Sequence, residues 1–462
     1  MAKVQHEFGQ HFPAPGLVEH DPEEIWASQE RAMREALAVA GNPPIRAVGI
    51  TNQRETVVLF EKATGRPIHQ AIVWQDRRTT AVLQRLRELG DERRVIERTG
   101  LPLDPYFSAA KIAWILDAIP GARAKAERGE VLAATIDAWL VWKLTKGEVF
   151  ATEPSNASRT ALYDLEAGKW SDELCELFRV PRACLPEIRE SAADFGTVSG
   201  LGIPITGVVG DQQAALFGQG CFTPGAAKCT YGTGAFLLAN AGTTRPRAEH
   251  GLLATVAWRI AGVDTFALEG SVLVAGSLVQ WLRDGLGIVK NSADIEALAR
   301  SVPDSAGVVL VPAFQGLGTP HWDPDARGLI IGLTRATTKA HLARAGVEAI
   351  AYSVAEVLRA MQLALPTPLR ELRVDGGASA NRLLMELQAT FSGIPVIRPA
   401  NLETTALGAA RMAMVGAGIA ANPDWGGGGG TRIEACLGGG DWEGGWRRWE
   451  AAVGRAKGWG CV

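Results

Sequence analysis

The 462-residue sequence has no long apolar run, no paired-cysteine motif and no excess of charge of one sign. The longer apolar stretches, such as residues 271–282, are too short to span a bilayer, and residues 1–12 lack the apolar core of a signal peptide. The six cysteines include no CxxC pair and show no zinc-like spacing with the seven histidines. These absences predict a soluble, unexported protein without membrane insertion, located in a reducing cytoplasm.

The charged residues are balanced and scattered. Lys and Arg number 47 against 50 Asp and Glu, and they form neither a basic stripe nor an acidic tail. This distribution predicts no nucleic-acid partner and no binding to a charged membrane surface. We therefore expect a small-molecule ligand.

Several common catalytic motifs are also missing. The sequence contains no Walker A pattern, no GxGxxG after a strand, no HExxH and no GxSxG. The most frequent nucleotide-binding, metalloprotease and esterase interpretations lose their main support. No motif predicts a protein metal site.

What is present is the composition of a folded enzyme in a chain long enough for two or three domains. Hydrophobic residues make up 47% and charged residues 21% of the sequence, which is typical of globular proteins. Asp21-Pro22-Glu23-Glu24 predicts a helix start with a proline at N1 and a capping glutamate at N3, and the helix should run to Gly41. Residues 45–50 and 56–60 are predicted strands. The alternation of strands and helices indicates an α/β fold.

Two later segments share one pattern. Residues 203–210 form an apolar predicted strand that leads through a turn into a helix at Asp211, and residues 372–377 lead into an amphipathic helix from Asn381. A turn that opens a helix can present backbone N–H groups to an anion. Each half of the chain therefore contains one such turn. Two analogous halves that face one cleft would explain this pattern.

We place a domain boundary near residues 218–225, which gives a first domain over 1–218 and a second over 219–462. From about residue 422 the composition changes, with glycine at every position of 426–430 and 438–440. Glycine runs are poor material for a packed element. A final amphipathic helix is predicted over residues 446–457.

Polar and aromatic residues at the predicted strand ends are candidates for ligand binding. The Arg54-Glu55 pair follows a buried strand, where open α/β sheets place ligand crevices, and it combines donors and acceptors suited to vicinal hydroxyls. A surface ion pair is the alternative for such a dipeptide. Trp74 and Tyr106 could cover the carbons of a ligand, although core packing explains most such aromatics.

Two further motifs remain ambiguous when taken alone. Asp211 could accept a proton from an attacking hydroxyl, but an aspartate before a helix is more often an N-cap. Thr230-Tyr231-Gly232-Thr233-Gly234 predicts a tight hairpin whose glycines let backbone N–H groups approach a phosphate, but an ordinary hairpin turn is the favoured interpretation of such a stretch taken alone. The residues by themselves thus indicate an α/β enzyme with anion-binding turns.

The ordered combination of motifs resembles the FGGY family of carbohydrate kinases, from about the first loop to Ala420. The similar segments are Gly49 to Thr56, Trp74-Gln75 with Arg77-Arg78-Thr79, Asp104 to Ser108, Gly210 to Gln213, Thr230 to Gly234, Ala267 to Gly270, Gly316 to Gly318 with Trp322-Asp323-Pro324, and Asp375-Gly376-Gly377 with Asn381. Within the family, Thr51-Asn52-Gln53-Arg54-Glu55 resembles the members that act on glycerol more than those that act on xylulose, gluconate or ribulose.

This resemblance implies two actin-like, ribonuclease-H-like α/β domains around a cleft, with the polyol bound by the N-terminal domain and ATP by the C-terminal one. It implies ATP-dependent phosphorylation of glycerol to sn-glycerol 3-phosphate with Mg²⁺, in a homodimer or homotetramer. Asp211 is the implied general base. The implied glycerol contacts are Arg54, Glu55, Tyr106 and Asp211 at the hydroxyls, Trp74 and Phe236 at the carbons, and Gln212 beside them. The implied ATP contacts are Thr233, Gly276, Gln280, Gly377 and Asn381.

The sequence departs from the family pattern at three places. Family members begin with a β-hairpin whose Asp-x-Gly-Thr-Thr-Ser loop contacts phosphate, and the sequence has no counterpart, so we expect Met1 to be a misassigned start. The linker at 199–203 is shorter than in members regulated by fructose 1,6-bisphosphate, and we expect no such regulation. The glycine-rich tail replaces a charged segment. Two alternatives stay open: another FGGY sugar kinase, and a non-catalytic polyol-binding remnant.

Overall fold

The computed structural model describes residues 2–420, 429–435 and 442–461. The chain divides into two compact units. The first unit comprises Met1–Gly218, Ala254–Phe266 and Thr405–Pro423, and the second comprises Gln219–Leu253, Ala267–Thr404 and Asp424–Val462. The chain therefore leaves the first unit at Gly218 and later returns to it twice.

The described strands range from two to ten residues in length. They are β1 Gln10–His11, β2 Glu19–His20, β3 Val48–Asn52, β4 Val57–Glu61, β5 Ala71–Ile72, β6 Val131–Thr135, β7 Ala151–Thr152, β8 Tyr163–Asp164, β9 Lys169–Trp170, β10 Glu187–Ile188, β11 Thr197–Val198, β12 Ile203–Gly210, β13 Ala227–Tyr231, β14 Ala235–Gly242, β15 Leu253–Ile260, β16 Val263–Val272, β17 Val309–Val311, β18 Leu329–Ile331, β19 Leu372–Asp375, β20 Val396–Pro399 and β21 Gly430–Ile433.

The α-helices alternate with these strands over most of the chain. They are α1 Pro22–Val39, α2 Thr80–Glu88, α3 Glu92–Thr99, α4 Ser108–Ala118, α5 Ala122–Glu127, α6 Ile136–Leu144, α7 Pro154–Ala157, α8 Asp172–Leu177, α9 Asp211–Gly218, α10 Gly276–Asp284, α11 Asp294–Arg300, α12 Lys339–Ala364, α13 Arg382–Ser392, α14 Thr404–Gly416 and α15 Trp442–Ala456. Short 3₁₀ turns occur at Arg182–Cys184, Gly377–Ala380 and Trp459–Cys461. The predicted α/β class is confirmed.

Two sheets organise the first unit. One has the strand order β1-β2-β5-β4-β6, and the other has the order β11-β12-β3. β3 and β12 run parallel, and their last paired residues are Asn52 and Gly210. Because parallel neighbours end at the same edge of a sheet, the residues that follow them, including Arg54 and Asp211, emerge close together.

The first helix and strand follow the sequence with small shifts. Asp21 caps α1 by accepting hydrogen bonds from the backbone of Glu23 and Glu24, at 2.7 and 3.4 Å. The predicted capping Glu24 accepts from the backbone N–H of Gly9, at 3.0 Å. β3 begins at Val48 and not at the predicted residue 45, and Val48 is the first of its residues that pairs with β12.

Helix α14 lies directly on β3 and β12. A Cβ atom at Gly49 would stand 2.1 Å from the carbonyl oxygen of Ala409, so only glycine allows this approach. The hydroxyl of Thr206 donates to the carbonyl of Ala413, at 2.7 Å. These contacts explain why residues 405–423 belong to the first unit.

The second unit is built on a sheet with the order β16-β14-β13-β19-β20-β21. β13 pairs antiparallel with β14 and parallel with β19, and Tyr231 faces Ala235 across the predicted hairpin. The long helix α12 is buried along most of its length and packs on α11 and α13. The predicted turn into a helix at Asn381 is confirmed, because Asn381 caps α13 by accepting from the backbone of Leu384, at 2.9 Å.

The tail differs in extent from its prediction. Residues 426–428 and 438–440 of the glycine runs lie outside the described residues, whereas 429 and 430 are described and lead into β21. The last helix, α15, begins at Trp442 and so is longer than predicted. Across the described part of the chain, no helix combines the length and the apolar character needed to cross a bilayer.

Candidate active site

The ends of β3 and β12 bring three charged side chains into one cluster. The guanidinium Nε of Arg54 lies 3.2 Å from Asp211 Oδ1 and 3.9 Å from Glu55 Oε1. Arg54 and Glu55 are buried, whereas the Asp211 side chain is one-third exposed. Asp211 begins α9, and its carboxylate accepts from the backbone N–H and the side-chain amide of Gln212, at 2.8 and 3.2 Å. A buried cation thus orients an accessible carboxylate, which is what a positioned proton acceptor requires.

Glu55 is fixed by a residue that the sequence did not single out. Arg159, which is fully buried, donates from Nε to Glu55 Oε1 at 2.6 Å. Glu55 also adopts a left-handed backbone conformation with a φ of 62°, which non-glycine residues rarely adopt outside constrained sites. The hydroxyl of Ser108 holds the Glu55 carbonyl at 3.0 Å. The Glu55 carboxylate is therefore held in one orientation by several contacts.

Gln213 is a second residue that sequence reasoning missed. Its side-chain oxygen accepts from Arg54 Nη1 at 3.2 Å, and its amide donates to the carbonyl of Val256 at 3.2 Å. Gln213 is completely buried. It lies two positions after Asp211 in a helix-forming stretch, where a glutamine carries no distinguishing signal.

Trp74 and Tyr106 lie beside the charged cluster as an aromatic pair. Their ring centroids are 5.4 Å apart with planes at 79°, an edge-to-face arrangement. Arg159 carries its guanidinium carbon 5.5 Å from the Tyr106 ring centroid. One buried arginine therefore contacts both Glu55 and Tyr106, and the aromatic pair supplies an apolar wall next to polar groups.

The loop that carries Tyr106 is tied down by Lys111. This fully buried side chain donates from Nζ to three successive carbonyl oxygens, of Pro105, Tyr106 and Phe107, at 2.9, 2.6 and 3.1 Å. Burial lowers the pKa of Lys111 to about 7, against the opposing effect of the nearby Glu55 carboxylate. Lys111 therefore fixes the backbone from which the Tyr106 ring projects.

Phe236 belongs to the second unit, whereas the other predicted glycerol contacts belong to the first. It is a half-buried residue of β14 in the second unit, where its carbonyl oxygen accepts from the buried Nζ of Lys228 at 3.3 Å. Lys228 also donates to Thr230 Oγ1, at 3.0 Å. Lys228 therefore supports both strands of the hairpin that carries Thr233.

The second unit contains a cavity of about 440 Å³ that gathers all five residues assigned to ATP. Thr233 belongs to the β13–β14 turn, Gly276 and Gln280 to the first turns of α10, and Gly377 and Asn381 to the segment between β19 and α13. The apolar side of the cavity is lined by Val279, Ile295, Val347, Ile350 and Leu384. Apolar walls with a few polar groups are typical of small-molecule binding sites.

The start of α10 touches the turn of the hairpin. The backbone N–H of Gly276 donates to the carbonyl of Gly232 at 2.9 Å, and a Cβ atom at Gly276 would lie 2.5 Å from that oxygen. The next residue, Ser277, donates from its hydroxyl to the carbonyl of Thr233, at 2.9 Å. Glycine at 276 thus lets the N-terminus of α10 pack against the turn, and the backbone N–H groups of Gly276 and Ser277 are used in this contact. Among the described residues, no three His, Cys, Asp or Glu side chains are grouped as metal ligands.

Two domains of one known protein family together match most of the chain. Residues 1–218 match the N-terminal domain of the FGGY family of carbohydrate kinases, and residues 227–417 match the C-terminal domain of the same family. These two ranges contain the site residues described above.

Individual relatives agree with the family match. A curated glycerol kinase of Citrifermentans bemidjiense is 55% identical over 91% of this chain and 86% of its own length. A glycerol kinase of Thermus brockianus is 53% identical over 99% of this chain and 94% of its own length. The crystal structure of Plasmodium falciparum glycerol kinase with ADP superposes with a TM-score of 0.91 at 33% identity, covering 98% of this chain and 92% of that one.

Proposed function

Since the chain belongs to the FGGY family of carbohydrate kinases, we propose that it transfers the γ-phosphoryl group of ATP to glycerol and forms sn-glycerol 3-phosphate. The observation that carries this proposal is the grouping of Arg54, Glu55 and Asp211 at the shared edge of β3 and β12. Two carboxylates and one guanidinium offer acceptors and donors for vicinal hydroxyls. Identities of 53–55% to glycerol kinases support glycerol as the polyol.

Each group in the first unit has a chemical task under this proposal. Asp211, the accessible carboxylate, takes the proton of the attacking hydroxyl as that oxygen bonds to the γ-phosphorus. The bond from this phosphorus to the bridging oxygen breaks at the same time, and ADP leaves. Arg54 and Glu55 bind the remaining hydroxyls, with Gln212 beside them. Trp74 and Tyr106 cover the carbon chain and exclude water, and Phe236 is assigned the same role. Phosphoryl transfer depends mainly on holding the hydroxyl in line with the phosphate and neutralising charge.

The cavity of the second unit suits the nucleotide. Val279, Ile295 and Ile350 offer an apolar surface for the adenine ring. The backbone around Thr233 and Gly377 offers N–H groups for phosphate oxygens, and Gly276 lines the same cavity. Gln280 and Asn381 supply polar contacts to the nucleoside.

Mg²⁺ would reach the site on the nucleotide phosphates, and such an ion needs only one or two protein carboxylates. Asp375 fits that need. It is buried beside Gly376, its Oδ2 accepts from Gln219 at 2.8 Å, and its Oδ1 has no hydrogen-bond partner among the described residues. Bound magnesium supplies charge neutralisation at the transferring group, and Asp375 would hold it or one of its waters.

We also propose that residues 1–218 form the glycerol-binding domain, residues 219–462 form the ATP-binding domain, and the enzyme works in the cytoplasm as a homodimer or homotetramer. The balanced charge of the sequence agrees with a protein that engages neither nucleic acid nor membrane.

An ATP-consumption assay with glycerol, xylulose, gluconate and ribulose tests the proposal. We expect glycerol to give the highest kcat/KM, with Asp211→Asn lowering kcat by roughly 10²- to 10⁴-fold, the scale of a lost general base. Asp172→Asn is the matched control, because Asp172 is the exposed first residue of helix α8. Preference for a ketose would favour another sugar kinase. Glycerol binding by calorimetry without turnover would favour the non-catalytic alternative.

A further inference from the structure

A fully buried carboxyl group outside the candidate glycerol contacts joins the two strands that carry them. Glu153 precedes the short helix α7 and is completely inaccessible to solvent. Its Oε1 accepts from the backbone N–H and the side-chain amide of Asn156, at 2.7 and 3.0 Å, and from the hydroxyl of Ser155. Its Oε2 accepts from the backbone of Ser155 at 2.8 Å and from the Ser191 hydroxyl at 2.7 Å. We call these four residues the Glu153 network.

The first connection leads from this network to β12. The Ser155 hydroxyl donates to Glu153 and accepts from the backbone N–H of Gly210, at 2.9 Å. Gly210 is the last residue of β12 and directly precedes Asp211. A single hydroxyl therefore links the buried carboxyl group to the peptide that presents the proposed base.

The second connection leads to β3. Asn156 and Asn52 exchange two side-chain hydrogen bonds, at 2.9 and 3.1 Å, although they are 104 residues apart. Asn52 is the last residue of β3 and stands two positions before Arg54. Both amides are buried, so neither can exchange these bonds for bonds to water.

Ser191 anchors the network to the rest of β12. Its carbonyl accepts from the backbone of Val208 at 2.9 Å, and its hydroxyl accepts from the backbone of Arg259 at 3.1 Å. All described connections of the network are made inside the first unit. A satisfied polar network in a low-dielectric interior is rigid, because moving one member leaves others without partners.

The position of the network explains its effect on the site. Asn52 and Gly210 are paired across β3 and β12, and this is the last pair of the ladder. Beyond it no ladder bond holds the strands together, yet Arg54 and Asp211 follow within two residues. The Glu153 network supplies side-chain bonds at the point where the backbone bonds stop.

We propose that the Glu153 network is a positioning device that sets the separation of Arg54 and Asp211, with Ser155 acting on Asp211 and Asn156 acting on Arg54. This role rests on the proposed phosphorylation of glycerol. Ser155 and Asn156 are fully buried, and neither is among the candidate glycerol contacts. Their removal should therefore change kinetic constants through the geometry of other residues.

The test compares Ser155→Ala and Asn156→Ala with Thr145→Val. Thr145 is also a buried residue of the first unit, and its hydroxyl donates to the carbonyls of Val141 and Trp142 and accepts from a backbone N–H. We expect Ser155→Ala to lower kcat about 10- to 100-fold, since a displacement of about 1 Å has an effect of that order. Asn156→Ala should mainly raise the KM for glycerol, by about tenfold. ADP affinity should stay within about twofold in all variants, because the nucleotide residues lie in the second unit.

The kinetic constants are calculated per folded molecule. A variant that only loses stability would therefore keep the kcat and KM of the wild type. Ser155→Cys fills the site with a slightly larger side chain and a weaker hydrogen-bonding group, and it covers the case in which Ser155→Ala does not fold. Kinetic constants of both network variants equal to those of Thr145→Val would overturn the proposal.

Hydrogen exchange gives a readout that does not depend on the reaction. In Ser155→Ala, amides of residues 208–214 should exchange about tenfold faster than in wild type, and Thr145→Val should leave them unchanged. A wild-type protein that does not phosphorylate glycerol would refute the proposed function alone. The exchange rates would then decide the positioning role, and rates equal to those of Thr145→Val would refute it.

Discussion

Replacing Arg159 with methionine removes a buried cation whose Nε donates to Glu55 Oε1 at 2.6 Å. Methionine keeps an unbranched apolar chain against Tyr106 and Phe107, so the substitution chiefly deletes the charge. Arg54 remains, but its Nε is 3.9 Å from Glu55 and is closer to Asp211. The Glu55 carboxylate would then stay buried with a weaker counter-charge.

The burial of the pair sets the expected magnitude. Arg159 is 0% and Glu55 2% exposed, and removing one partner of such a pair destabilises a protein by about 3–5 kcal/mol. The exposed pair Arg93–Glu97, with side chains 89% and 60% accessible, should contribute at most about 0.5 kcal/mol. Arg93→Met is therefore the matched control.

Denaturant unfolding and glycerol kinetics measure the two effects. Arg159→Met should lose about 3 kcal/mol or more of unfolding free energy and raise the glycerol KM about 10- to 100-fold, since a hydrogen bond to a charged group contributes about 1.5–3 kcal/mol. A double-mutant cycle with Glu55→Gln should give a coupling of about 2 kcal/mol. Unfolding free energies of Arg159→Met and Arg93→Met that agree within about 0.5 kcal/mol would refute this reasoning.

Three further substitutions probe other parts of the structure. Lys111→Met frees three carbonyls of the Tyr106 loop and should lower glycerol kcat/KM about tenfold or more, with exposed Lys125→Met as the control. Gly276→Ala forces a Cβ to 2.5 Å from the Gly232 carbonyl and should raise the ATP KM about tenfold, whereas Gly454→Ala, with open space, should leave it unchanged. Burial raises the pKa of Glu153 to about 7, above its value near 4.5 in the unfolded chain. The folded state therefore keeps this proton to a higher pH than the unfolded state does, and wild-type stability falls as the pH rises from about 4.5 to about 7. Relative to Glu153→Gln, the unfolding free energy should drop by about 3 kcal/mol from pH 4.5 to 7, and a pH-independent difference would contradict this assignment.

Local patterns predicted much of the fold. The capped start of α1, the strand-to-helix passage into Asp211 and the capped helix after Asn381 each depend on residues within a few positions of one another, and the structure has all three. The family resemblance, which is confirmed, rests on the same kind of contiguous motif. The roles of the predicted glycerol and ATP contacts remain predictions, although the structure gathers Arg54, Glu55 and Asp211 in one cluster.

The supporting residues could not be found in this way. Arg159 is 104 residues from Glu55, and Asn156 is 104 residues from Asn52. In the sequence both belong to a short polar stretch that has the composition of an exposed loop. Tertiary packing buries this stretch completely, and its charges and amides then become expensive to leave unpaired. Their importance arises from burial, which no local pattern in that stretch predicts.

The packing of α14 on β3 and β12 has a consequence for how the protein is made. Both strands leave the ribosome early, but the helix that covers them follows only after residues 211–403. At elongation rates of about 5–20 residues per second, that delay is roughly 10 to 40 s. During this time the nascent first unit exposes the glycine-lined sheet face around Gly49. We expect that interval to be the period in which the growing chain is most open to aggregation and most dependent on chaperones.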